Sequence, residues 1–360
     1  MRNSNRTRAG AYIRHLCSLG LPSETVIVSI LRAAREIAGA DFGHFIWADE
    51  HYQLARVFSE CPAAYATLPA YMALQRAGQV SSLIGDFADW MSLRHDFRNS
   101  ADVDGALSRS RFHDEVLLPC NGRHFIHVVA RQGNRGWGSM ILMRERGSRS
   151  FSDAEQRAID VFGGHLGHAI RHPALQHSSF GDSDRTCVLI ADWNSRILHQ
   201  SSAAQRLVLE TVDCTSEHGR SALFLVPVLA ELVVRLKCAC SGRHARPAVT
   251  AIANRWGRFV WRAYPLEGDA GCVLYCQHQE PKVLQMLSGA QVAGLSGRQQ
   301  LIAARLACGT SYRTMAAELN VKESTVTDSV RQIYQRFDIH SMDGLAHRLS
   351  QAHQSAFAER

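Results

Sequence analysis

The side chains best equipped for chemistry lie near the C-terminus, in the stretch VKESTVTDSVRQIYQRF, residues 321–337. Val326, Val330, Ile333 and Phe337 recur there at i, i+4, i+7 and i+11, one apolar stripe of an α-helix. The rest of that helix carries Ser324, Thr325, Thr327, Asp328, Arg331, Gln332 and Gln335. A face that meets only water usually alternates Lys and Glu. This one presents hydrogen-bonding groups instead. Arg331 can bond a guanine bidentately, and Asp328 can accept from a cytosine amine. The chemistry they suggest is recognition of base edges.

Such a face must be held by other elements. The stretch GRQQLIAARLACG reads as a helix packing through Leu301, Ile302 and Leu306. SYRTMAAEL starts a second helix at Ser311 and packs through Met315, Ala316 and Leu319. The turn Leu319-Asn320-Val321 follows, and Asn tolerates the left-handed backbone such a turn needs. SMDGLAHRL is a fourth helix, with Ser341 as cap and Leu345 and Leu349 on one face. Two helices across a short turn, the second with a polar outer face, have helix-turn-helix geometry. Arg313 and Ser324 lie near helix N-termini, where phosphates bind.

Residues 295–349, from LSGRQQLIAARLACG to SMDGLAHRL, resemble the DNA-binding domain of the LuxR family of bacterial transcription regulators. The resemblance rests on Leu295-Ser296, Arg298, Gly309, Ser311, Ala316, Leu319, Thr325-Val326 and Ile333 at matching spacing. It implies that residues 322–337 enter the major groove of double-stranded DNA, with base contacts at Thr327, Asp328 and Arg331. Thr327 and Ser329 stand where the family usually has a lysine and a histidine. Thr314 replaces the glutamate that would complete a capping box with Ser311. Sigma-factor DNA-reading regions share SYRTMA and STV, but the fourth helix and the long upstream segment argue against that assignment. One short helix reads few base pairs, so a homodimer is expected, paired through Met342, Leu345 and Leu349.

A chain of 360 residues is too long for one ordinary core. The fold expected is multidomain. Two α+β sensory domains precede an all-α four-helix helix-turn-helix domain. Residues 1–175 look GAF-like, on the hairpin HFIHVVARQGNRGWGSMILMRE and the following FSDAEQRAI. Ser23 is expected to cap an early helix. Ser152 with Glu155 forms a capping box on a single long helix reaching Ile170. Residues 185–280 look PAS-like, on VLIADWNSRILHQSSAAQRLV, whose helix is expected to start with a Ser cap. Residues 172–184 and 280–289 read as linkers, and 288–355 as the DNA-binding domain.

Other constellations weigh less. Trp47, Trp90 and Trp137 are candidates to line a ligand pocket in the first domain. Cys238 and Cys240, with Cys272 and Cys276, lack usual zinc spacing, and the second pair shares one strand face. His165, His168 and His172 share a helical face. Asp86, Asp89, Asp102 and Asp104 read as turn or cap residues. No phosphate-loop, H-E-x-x-H or G-x-S-x-G motif is present. Neither a metal nor a cofactor is therefore expected, and the chain is not expected to be an enzyme.

The formal net charge of +7 suits a nucleic-acid partner, yet only Lys237, Lys282 and Lys322 are lysines, so an arginine bias along the whole chain explains much of it. No apolar run reaches the roughly 20 residues that cross a bilayer. The N-terminus is basic without an apolar segment behind it, unlike a secretory signal. The ten cysteines read as reduced thiols. The expectation is a cytoplasmic, dimeric transcription regulator responding to a small-molecule effector or a protein such as RNA polymerase. The alternatives are a protein-binding adaptor whose tail has lost DNA contact, and an enzyme with a regulatory tail.

Overall fold

The computed structural model describes residues 2–94, 97–171, 179–213, 224–269 and 271–358. The chain opens with α1 (Arg2–Ser18) and α2 (Ser23–Ala38), then β1 (Phe42–Ala48) and β2 (Leu54–Ser59). Helix α3 (Ala63–Arg76) leads into short pieces, α4 (Ser81–Ile84), α5 (Phe87–Met91) and α6 (Asp104–Leu107). The hairpin β3 (Gly122–Gln132) and β4 (Arg135–Glu145) follows, then α7 (Asp153–Asp160) and α8 (Gly163–Arg171). The four strands form an antiparallel sheet in the order β2-β1-β4-β3.

Helices cover both faces of this sheet. Alternation along β1 sends Phe45 and Trp47 to one side and Phe42 and Ile46 to the other. The first side packs with apolar residues of α1, α2, α7 and α8. The second meets the segment from α3 to Cys120. Helix α1 was not foreseen, although Ala9, Tyr12, Ile13, Leu16 and Cys17 have helical spacing and are all buried. Ser23 does not cap α2. Its hydroxyl accepts from the Trp47 indole at 2.9 Å. The capping box at Ser152 and Glu155 forms as expected. The expected single helix breaks at Val161–Phe162. The break seats Gly163 and Gly167 against the carbonyls of Val129 and Arg131, where a Cβ would stand 2.7 and 2.2 Å away.

The second unit holds β5 (Phe180–Ala191), β6 (Ile197–Gln200), α9 (Ala204–Thr211), α10 (Pro227–Cys240), β7 (Val249–Asn254), β8 (Gly257–Pro265) and β9 (Cys272–Pro281). Its antiparallel sheet runs β6-β5-β9-β8-β7. One face carries Leu189, Phe259, Trp261 and Leu274, buried with Leu207, Leu229 and Leu232 of α9 and α10. Strand β5 starts inside the expected first linker, which therefore ends before Phe180; residues 172–178, His172 among them, lie outside the described residues. No serine side chain caps α9. Cys272 and Cys276 are buried in the core, as their shared strand face suggested, while Cys238 and Cys240 end α10.

The two units share a seam. Trp256, 1% exposed, packs edge-on to Trp47 at 5.6 Å and stacks on Phe58 at 6.2 Å. Buried Glu24 pairs with Arg56 at 3.2 Å and with Arg255 at 3.4 Å. Thr25 donates to the Arg255 carbonyl at 2.6 Å. Such a pairing of apolar contact with satisfied buried charge resists sliding of one unit over the other.

The second expected linker is a helix, α11 (Lys282–Val292), which follows β9 without a break. Four more helices complete the chain: α12 (Gly297–Ala307), α13 (Tyr312–Glu318), α14 (Glu323–Phe337) and α15 (Met342–Ala358). Leu284, Leu287 and Ala290 of α11 are buried with Leu345 and Leu349 of α15.

Candidate nucleic-acid interface

The α13–α14 pair is built from few contacts. Leu295, Ile302 and Leu306 around α12, Met315 and Ala316 in α13, and Val326, Val330 and Ile333 in α14 are all buried. Asn320 takes φ 50°, the left-handed turn expected of it. Val321 N–H then donates to the Ala316 carbonyl at 3.0 Å, closing the turn. At the start of α13 the Ser311 hydroxyl accepts from the Thr314 amide at 3.2 Å. Thr314 adds a hydroxyl–hydroxyl bond to Ser311 at 2.8 Å, so one half of a capping box survives the missing glutamate. Arg305 ties α12 to Glu318 of α13 at 3.4 Å.

This packing leaves the polar face of α14 outward. Ser324, Thr327, Asp328, Arg331, Gln332 and Gln335 are exposed, as is Arg313 on α13; Thr325 is half-buried. Among the described residues, no upstream element covers the exposed ones. The Thr327 hydroxyl donates back to the Glu323 carbonyl at 3.1 Å, which leaves its oxygen free to accept. Gln332 accepts from the Gln299 amide of α12 at 3.3 Å, which orients it. Among the described residues Asp328 has no ion-pair partner, and Arg331 has none either. The candidate base-reading groups are thus available at the surface, with opposite charges about one helical turn apart.

Residues 293–349 match the family described as bacterial regulatory proteins, luxR family. The tail is a LuxR-type helix-turn-helix domain. No curated protein matches the chain. A domain of this type indicates a DNA-binding transcription regulator, and the exposed face of α14 lies on the second helix of its helix-turn-helix. No helix among the described residues is long and apolar enough to cross a membrane.

Other candidates sit elsewhere than expected. Leu345 and Leu349, expected at a dimer contact, are both 0% exposed within one chain. Gly289 of α11 lies so near α15 that a Cβ would stand 2.0 Å from the Leu349 carbonyl oxygen. Only Met342 of that trio is at the surface, 43% exposed. Their apolar pattern was legible, but α11 had been read as a linker, so its claim on them went unseen.

The three tryptophans also part company. Trp47 belongs to the seam between the units. Trp137 is half-buried between the guanidinium groups of Arg135 and Arg171, 4.2 and 4.3 Å from its ring. Trp90 alone lines a cavity of about 110 Å³ beneath the first sheet, with its indole donating to the Ile84 carbonyl at 2.8 Å. Sequence reasoning missed the rest of that lining, which includes His44, Thr67, Tyr71, Phe112 and Cys120. The walls are mostly aliphatic and aromatic. Burial holds the His44 imidazole down to about 4, so it is neutral there. Burial likewise raises Tyr71, with Asp86 adding to the shift, so its phenol stays protonated.

Proposed function

We propose that the protein is a sequence-specific reader of double-stranded DNA whose upstream units sense a small molecule. In this reading α14 lies in the major groove. Arg331 donates its fork to a guanine and Asp328 accepts from a cytosine amine nearby. Thr327, Gln332 and Gln335 contact flanking positions, while Ser324, Thr325 and Arg313 hold phosphates. The observation that carries it is the split of α14. Its apolar stripe is buried while its hydrogen-bonding face is exposed, with no ion-pair partner for Asp328 or Arg331 among the described residues, on a LuxR-type domain.

The first unit is GAF-like and the second PAS-like. Both are antiparallel sheets with helices in their crossovers. The effector is a compact, largely apolar molecule held in the cavity lined by Trp90, Phe112 and Tyr71, which offers it a phenol hydrogen bond. Two copies of the chain read two half-sites about one helical turn apart. The protein works in the cytoplasm, acts on transcription through DNA and RNA polymerase, and needs no catalytic site.

Selection of bound sequences from a random duplex pool with the full chain tests this. A palindromic motif is expected. Recovery of no motif by a folded chain sinks the reading.

A further inference from the structure

The second sheet buries one face under α9 and α10 and leaves the other open. Side chains alternate along each strand, so the register gives the outward positions. One outward row runs Ala251, Val260, Gln277 and Thr186 across β7, β8, β9 and β5. The next runs Val249, Arg262, Tyr275 and Val188, and a third Tyr264, Val273 and Ile190. A solvated sheet face is ordinarily polar at such positions. This one is mostly valine and tyrosine. Val188, Val249 and Tyr264 are 39, 40 and 50% exposed, and buried Val260 belongs to neither hydrophobic core. A contiguous apolar patch of this kind marks an interaction surface.

The charge at its centre has one sign. Arg258 and Arg262 lie at outward positions of β8, are exposed, and have no ion-pair partner among the described residues. They stand four residues apart, about 13 Å along the strand. The nearby carboxylates are at the corner of the sheet and are engaged. Asp182 accepts from the Gln279 amide at 2.7 Å, and Asp184 pairs with Arg32 of α2 at 3.4 Å.

Size narrows what can cover the patch. Four strands and three rows span about 15 by 14 Å between backbones. Three turns of α-helix are about 16 Å long and about 10 Å wide with side chains. Face-to-face pairing of two copies buries about 400 Å² from each once side chains are included, below the roughly 600 Å² per partner of a stable interface. It also sets arginines against arginines. The area suits a transient contact with one helix, and the charge requires that helix to be acidic.

We propose that this face receives an amphipathic helix of another protein, apolar along one stripe and acidic beside it. The apolar stripe covers Val188, Val260, Val273 and Tyr264. Carboxylates two turns apart, about 11 Å, meet Arg258 and Arg262. None of these residues belongs to α14, so the proposal stands apart from the reading of the tail.

Two synthetic helical peptides are the probes, used with the full chain. They share a leucine stripe and carry either glutamates or lysines beside it, and fluorescence anisotropy reads binding. The acidic peptide should bind the more tightly, with an affinity that falls as salt rises. Arg258→Glu with Arg262→Glu should weaken it roughly tenfold and turn the preference toward the basic peptide. Val249→Ser and Tyr264→Ser should also weaken it, with the melting temperature unmoved, because both side chains meet solvent. An excess of unlabelled DNA duplex should not displace it. Equal binding of the two peptides, no binding of either, displacement by duplex, or binding that survives all the face variants overturns the proposal. So does self-association of the chain, read by sedimentation, that Tyr264→Ser abolishes, since the face then belongs to a second copy. A single-stranded oligonucleotide that binds through Arg262 and Tyr264 while neither peptide binds overturns it in favour of nucleic acid.

Discussion

Helices α14 and α15 look alike as sequences and end in different situations. Each has an apolar stripe and a polar remainder. In α14 the stripe of Val326, Val330 and Ile333 is buried and the polar face stays open. In α15 the stripe of Leu345 and Leu349 is equally buried, but under α11, a helix outside the matched family segment 293–349. An apolar stripe states that a partner is required and does not name it. The difference teaches that α15 joins the tail to the upstream part of the same chain, while α14 keeps its contacts for something else.

The sharpest way to break this comparison is Leu345→Ala. A buried leucine truncated in a packed core costs about 2–5 kcal/mol, so the melting transition should fall steeply at every protein concentration. If the loss vanished on dilution and appeared only at high concentration, Leu345 would be a contact between copies and not an intrachain core residue. Next comes Arg331→Ala, which should cost ~1–3 kcal/mol in affinity, concentrated at one base position, with the melting temperature unmoved. Loss of affinity spread evenly over all sequences would instead make Arg331 a phosphate contact.

Acid separates buried core from open surface in a third way. His278 donates from Nε2 to the Trp256 carbonyl at 2.9 Å and accepts from Ser183 at 2.8 Å through Nδ1, so it is held neutral. Burial, then the Arg185 charge, lowers it to about 3, and burial lowers His44 to about 4. Below the ordinary value of about 6.5 the unfolded chain binds protons that these folded sites refuse. Stability is therefore full above pH ~6.5 and declines as pH falls toward those lowered values, by up to about 1.4 kcal/mol per unit for each group. His278→Gln should flatten part of that slope in denaturant titrations across the window. An unaltered slope would place the acid sensitivity elsewhere. The smallest effect belongs to Met342→Ser, within about 0.5 kcal/mol of stability, because its side chain meets solvent. A marked change of self-association in that variant would restore α15 to a role between copies.

Much of the tail was legible before any coordinates. Helical spacing located α12 to α15, Asn320 announced the turn, and the polar face of α14 pointed to base recognition. The strands of both sheets were mostly readable from alternation and Gly/Asn turns. The interruption at Val161 escaped because the apolar stripe runs on through Phe162 and Leu166, and only the close approach of Gly163 and Gly167 to β3 requires a break. Helix α11 escaped because KVLQMLSGAQV directly follows a strand and carries no cap side chain.

The sequence by itself determined most of the segments that become helix or strand, which stripes seek burial, and which side chains can read a base. Those properties depend on neighbours three or four residues away. Tertiary structure alone decided who covers whom. It put α11 over Leu345 and Leu349, Trp256 between two sheets, and Arg8 beside Arg336 across most of the chain's length. Apolar burial rewards any contact of the right shape, so no local pattern can specify which distant surface will provide it.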